Sequence, residues 1–246
     1  MPIIVLLTGF GSFPGAPFNP TTALPARLAA RRRPALAGVK RIAHVFRTSY
    51  AAVDRELPPL LMRTRPDVVL LFGVATRTNY LRVETRARNS RSPLFPDADG
   101  RHPGASAIAP RAPAALAGRA AHPALVAAVR AKGLPARLSH SAGRYLCNFA
   151  YWRALAAAHR GPARLVQFIH VPTVRHAPMR PAKGRRLTPA DLLRAGETIL
   201  LALVTAARAR KCATREQREP ASRAAATVPP EFQRGQNRRQ RRAVAG

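Results

Sequence analysis

Apolar residues gather in short runs along this chain, and polar turn-forming residues separate the runs. Pro2 to Thr8, PIIVLLT, is apolar almost throughout and ends in a Gly-Phe-Gly turn, the pattern of a strand buried on both faces. Asp67 to Phe72, DVVLLF, repeats that pattern and is closed by Gly73. Arg164 to His170, RLVQFIH, repeats it again and is stopped by Val171-Pro172. Lys40 to Arg47 is a further strand candidate, and Ala136 to His140 another. Between these runs the period changes from two to that of a helix. Thr22 to Arg33 carries Leu24 and Leu28 on one face, and Tyr50 to Met62 carries Val53, Leu57, Leu60 and Leu61. Pro123 to Lys132 predicts a helix ending at Gly133, and a helix after Cys147 runs to about His159 and stops at Gly161. A last helix begins at Thr188-Pro189-Ala190-Asp191, where Thr188 and Asp191 can cap reciprocally, and ends near Arg210. Strands alternating with helices require crossover connections, which give a mostly parallel, twisted sheet. The expected fold is therefore α/β, a three-layer α/β/α sandwich over residues 1–210. Pro, Ala and Gly fill a long loop from about Ser90 to Arg119. From Lys211 to Gly246 the periodicity disappears, and a basic, disordered C-terminal tail is expected.

Composition adds a constraint. There are 42 Lys and Arg against 11 Asp and Glu, a formal charge of +31 in 246 residues. The arginines are spread along the chain and lack interleaved aromatics, so nucleic-acid binding is expected only as non-specific association through charge. Two cysteines, Cys147 and Cys212, form no disulfide framework, which suits a reducing, cytoplasmic setting. The opening apolar run is too short to span a bilayer, and no membrane association is expected. His102, His122 and His176 have no ligand spacing, so no metal site is expected.

Ligands bind such sheets outside the carboxyl ends of the strands. That places four segments on one rim: the turn Gly9 to Gly15, the stretch Gly73 to Glu84, His170, and Cys147 at the entry to a helix. A thiolate is a nucleophile, and a helix N-terminus with a neighbouring imidazole activates it. His170 can take the thiol proton and return it to a leaving amine, Glu84 can orient the imidazole, and backbone N–H groups at the start of the Cys147 helix can hold an oxyanion. Alone, Cys147 reads as a small core residue, Glu84 as a partner for Arg82, Arg86 or Arg88, and Phe10 and Phe13 as core aromatics.

Four ordered blocks carry a resemblance. TGFGSFPGAPFNPT (Thr8 to Thr21), GVATRTNYLRVETRARN (Gly73 to Asn89), SAGRYLCNFAY (Ser141 to Tyr151) and QFIHVP (Gln167 to Pro172) together resemble the pyroglutamyl peptidase I family of cysteine peptidases. The resemblance implies Cys147 as nucleophile, His170 as general base and acid, and Glu84 as the residue that orients the histidine. It implies a ring pocket from Phe10, Phe13 and Tyr145, with Val74 in a substrate-facing loop. The implied reaction is thioester-mediated removal of an amino-terminal pyroglutamyl residue from a blocked peptide, by an enzyme that is a homo-oligomer. The chain departs from the family pattern at Val74 to Thr78, where the family has Gln-Ala-Gly-Gly-Arg. It departs again at Leu94, where the family has Arg, and at Pro14, which replaces a glycine. Two other readings stay open: a thiol hydrolase for another N-blocked or lactam substrate, and a catalytically idle basic scaffold for nucleic acid or an acidic partner.

Overall fold

In the computed structural model, residues 2–13, 16–160, 165–174 and 186–226 are described, residue 160 and residues 215–226 by backbone alone. The Gly161 stop, Pro14, His176 and the tail from 227 lie outside the described residues. The strands are β1 (Ile3–Phe10), β2 (Val39–Phe46), β3 (Val68–Val74), β4 (Leu81–Glu84), β5 (Arg86–Arg88), β6 (Ala115–Ala117), β7 (Ala136–Ser139) and β8 (Leu165–Val171). The helices are α1 (Leu24–Ala29), α2 (Tyr50–Thr64), α3 (His122–Arg130), α4 (Leu146–Arg160) and α5 (Pro189–Ala226).

Six strands form one sheet in the order β2-β1-β3-β8-β4-β7. Every neighbouring pair is parallel except β4 with β8. β5 and β6 make a separate antiparallel pair. The central strands are apolar at nearly every position because both faces are covered. Along β3, Val68, Leu70 and Phe72 enter one core with Leu24 and Leu28 of α1, Val129 of α3 and Ile199 of α5. Val69 and Leu71 enter the other, with Val53 and Leu57 of α2 and Phe149 of α4. The three layers follow directly from that alternation.

Three sequence expectations change. β4, β5 and β6 form where the sequence pattern predicts no strand, the first two within Gly73 to Asn89 and β6 in the long Pro/Ala/Gly-rich loop. α1 is shorter than Thr22 to Arg33. α5 does start on the expected reciprocal cap, with Thr188 Oγ1 donating to Asp191 Oδ2 at 2.9 Å and Asp191 N–H donating to Thr188 Oγ1 at 3.1 Å. It then passes Arg210 and reaches Ala226, so Lys211 to Ala226 is helical backbone, where Ala, Arg, Glu and Gln are good helix formers. The chain divides into two compact units, Met1–Ala207 and Arg208–Gly246. Among the described residues no helix is long and apolar enough to cross a membrane.

Candidate active site

The turn after β1 requires a glycine. A Cβ on Gly9 would stand 2.0 Å from the Thr21 carbonyl oxygen. Asn19 ties the turn together by donating to Gly11 O at 3.0 Å and accepting from Thr21 Oγ1 at 2.8 Å. This loop carries Phe10 and Phe13. Phe13 is half-buried and its ring lies 6.5 Å from that of Tyr145. Phe10 differs: it is 3% exposed and packs on Phe46 with centroids 6.0 Å apart. It therefore belongs to the core cluster against which Tyr145 and Cys147 pack.

Gly143, with φ of +81°, makes the turn before α4. Cys147 follows at the second position of that helix and is half-buried. N–H groups in the first turn of a helix have no intrahelical acceptor. Asn148 anchors this end of α4 to β5: it accepts from Arg88 N at 2.8 Å and donates to Arg88 O at 2.8 Å and Ser90 O at 3.0 Å. The Cys147 sulfur lies directly over β3, where a Cβ on Gly73 would stand 2.6 Å from Sγ. Gly73 is paired in register with His170 of β8. The imidazole is thereby set at the same end of the sheet as the sulfur, near enough for the charge of Cys147 to act on it.

On its other side, His170 Nδ1 is 2.8 Å from Glu84 Oε1, and both side chains are buried. Glu84 does not sit on the rim with the other segments. Its strand runs antiparallel to β8, and Glu84 pairs with Phe168, one layer below His170. The carboxylate supports the ring from within the protein. Its backbone carbonyl is fixed by Tyr151 Oη and Gln167 Nε2, each donating at 3.0 Å. Arg82, paired with His170 across the strands, places a guanidinium nitrogen 3.2 Å from Glu84 Oε1. The same guanidinium donates to Ser139 Oγ at 2.7 Å and Ser141 O at 2.5 Å, which joins the carboxylate to the chain leading into Cys147. Thus the local ion pair and the histidine contact coexist at Glu84. Burial alone would lower the His170 pKa, but the charge of Cys147 and hydrogen bonds to Cys147 and Glu84 outweigh it and push it up to about 9.

The remaining expected residues divide. Tyr145 stands over the site, its hydroxyl donating to Pro96 O at 2.8 Å. Val74 is half-buried at the end of β3, opposite Val171. Arg77 is exposed, and Leu94 is 70% exposed. Sequence reasoning gives no role to Asn148 or Asp97, and names Arg82 only as an ion-pair partner of Glu84. Asp97 is buried and accepts from the backbone N–H groups of Tyr50, Asp99 and Arg101, which docks the loop carrying Pro96. A rare acidic residue inside a Pro-rich loop was the available signal. Among the described residues, no group of three or more His, Cys, Asp or Glu side chains is arranged to hold a metal ion.

The profile of the pyroglutamyl peptidase family matches residues 3–208. The chain belongs to the pyroglutamyl peptidase family. A pyrrolidone-carboxylate peptidase of Gloeobacter violaceus is 33% identical over 80% of this chain and 94% of its own length. One from Thermococcus onnurineus is 35% identical over 69% of this chain and 84% of its own. The solved pyrrolidone carboxyl peptidase of Thermococcus litoralis superposes with a TM-score of 0.73 at 28% identity, over 82% of this chain and 93% of that one. The family's cysteine-peptidase character and its α/β fold both agree with the arrangement built above.

Proposed function

We propose that this chain removes an amino-terminal pyroglutamyl residue from peptides, with Cys147 as nucleophile, His170 as proton carrier and Glu84 as the residue that orients the imidazole. The buried row of carboxylate, imidazole and sulfur, ending at a helix start, carries this reading. The raised pKa of His170 keeps the ring charged at neutral pH, beside the sulfur that attacks. The sulfur attacks the carbonyl after the pyroglutamyl ring, and the oxyanion meets N–H groups of the first turn of α4. His170 then gives its proton to the departing amine, leaving a thioester. Water, deprotonated by the same imidazole, hydrolyses the thioester and releases pyroglutamate. Glu84 holds the ring in orientation and balances its charge.

Phe13 and Tyr145 supply aromatic faces for a flat, neutral ring, with Val74 at the edge of the same rim and Phe10 as the floor beneath them. The reaction uses no cofactor in this reading. We assign catalysis to the part of the chain up to about Arg210, since the family profile ends at residue 208, and treat the chain beyond as a basic extension. Turnover of a fluorogenic pyroglutamyl amide tests the proposal. Reduced wild-type protein should release the amine, and Cys147→Ala should abolish release while keeping the same melting temperature within a few degrees. A folded, reduced wild-type protein without turnover refutes it.

A further inference from the structure

Tyr50 and Tyr145 pack on one another, their ring centroids 6.0 Å apart, and their hydroxyls are not equivalent. Tyr145 Oη spends its proton on the Pro96 carbonyl. Tyr50 Oη is buried and has no hydrogen-bond partner. The ring cannot easily turn to find one. Tyr50 opens α2 behind the Ser49 cap, and its backbone N–H donates to Asp97 Oδ2 at 3.0 Å. Its ring is held edge-on between Tyr145, at 6.0 Å and 86°, and Phe149, at 5.1 Å and 80°. The neighbouring charges of Arg91, Asp97 and Cys147 act on the hydroxyl. Burial, aided by the negative groups and opposed by Arg91, pushes its pKa up to about 12. It therefore keeps its proton at neutral pH and is a donor without an acceptor.

A buried hydroxyl in that state costs roughly 1–3 kcal/mol. A pyroglutamyl ring entering between Phe13 and Tyr145 has the complementary deficit, because its lactam carbonyl gives up water as the ring is enclosed. We propose that Tyr50 Oη donates a hydrogen bond to the lactam carbonyl of the bound ring and so selects a lactam over a five-membered ring that lacks the oxygen. The inference rests on the peptidase reading and names the residue that sets its ring specificity. Sites built to hydrogen bond a substrate group reject analogues without it more strongly than apolar pockets discriminate by size.

The test uses the full chain carrying Cys147→Ala, with and without Tyr50→Phe. Calorimetry would measure binding of an L-pyroglutamyl dipeptide amide and of its cyclopentanecarbonyl counterpart. The expected result is a loss of about 10-fold in affinity for the lactam peptide on Tyr50→Phe. The carbocyclic peptide should change less than about twofold, so the ratio collapses. Tyr50→Phe keeps the ring and removes an unpaired hydroxyl, so its melting temperature should be equal or higher. Equal weakening of both ligands, unchanged lactam affinity, or no lactam binding to the parent would each overturn the assignment. The two proposals fail separately. A preserved binding split in a protein whose intact thiol form does not turn over refutes the peptidase reading alone, and turnover without a split refutes the role of Tyr50 alone.

Discussion

Gly73→Ala is the most demanding test of the site, since it adds one carbon at the point where β3, α4 and β8 meet. The new Cβ would lie 2.6 Å from Cys147 Sγ and 2.7 Å from Phe168 Cζ. Comfortable carbon contacts begin near 3.5 Å, so the sulfur and the ring must each retreat by roughly 1 Å. Neither has easy room. Phe168 is fully buried, with its ring centroid 5.7 Å from that of Tyr151 and 4.9 Å from that of His170. Cys147 sits on a helix anchored by Asn148. Overpacking of this kind costs about 1–3 kcal/mol, which lowers the melting temperature by several degrees. The effect on rate should be larger. A reacting atom misplaced by about 1 Å loses on the order of 10²-fold, while the ring pocket is untouched, so the loss should fall on kcat and spare KM. Steady-state turnover of a pyroglutamyl amide, with thermal melts of the same preparations, decides it. Wild-type kcat in Gly73→Ala, or a loss confined to KM, would refute the claim that the sulfur rests on this glycine.

Two further outcomes follow from the buried carboxylate and imidazole. Glu84→Gln keeps the shape but removes the charge beside His170, and kcat for the same substrate should fall on the order of 10³-fold with the protein folded; a loss under about tenfold would count against the orienting role. His170 has a pKa raised from 6.5 to about 9, so its contribution to stability is fully present below pH 6.5 and is lost as pH rises through 9. The melting-temperature difference between wild type and His170→Asn should therefore shrink across that interval, and a difference constant from pH 6 to 10 would contradict the shift.

The parts of the fold that could be read in advance were those where burial on both faces leaves only apolar residues, as in VVLLF of β3 and LVQFIH of β8. His170 was legible because it sits near the end of such a strand, and Cys147 because it stands where a glycine turn enters a helix. β4 was hidden for the opposite reason. Its four residues, LRVE, include an arginine and a glutamate that face the site, so its composition resembles a loop. Its antiparallel direction was equally invisible, because nothing local distinguishes it from the crossovers around it. The sequence leaves Phe10 open between core and pocket, because an aromatic at the end of a buried strand fits either; the structure adds that it is buried against Phe46. The helix beyond Arg210 shows the limit of periodicity: α5 continues there on intrinsic propensity, with no apolar stripe to announce it.

The antiparallel pairing of β4 with β8 makes the six-residue turn from Ala75 to Tyr80 a matter of parity. Arg82 and Glu84 share the face of His170, while Val83 points to the opposite core. Insertion or deletion of a single residue in that turn would advance the strand by one step and exchange the two faces, presenting a valine to the imidazole and a carboxylate to the hydrocarbon interior. Length changes by two could be absorbed where changes by one could not, so the reactive chemistry of this chain depends on whether a surface turn has an even or an odd number of residues.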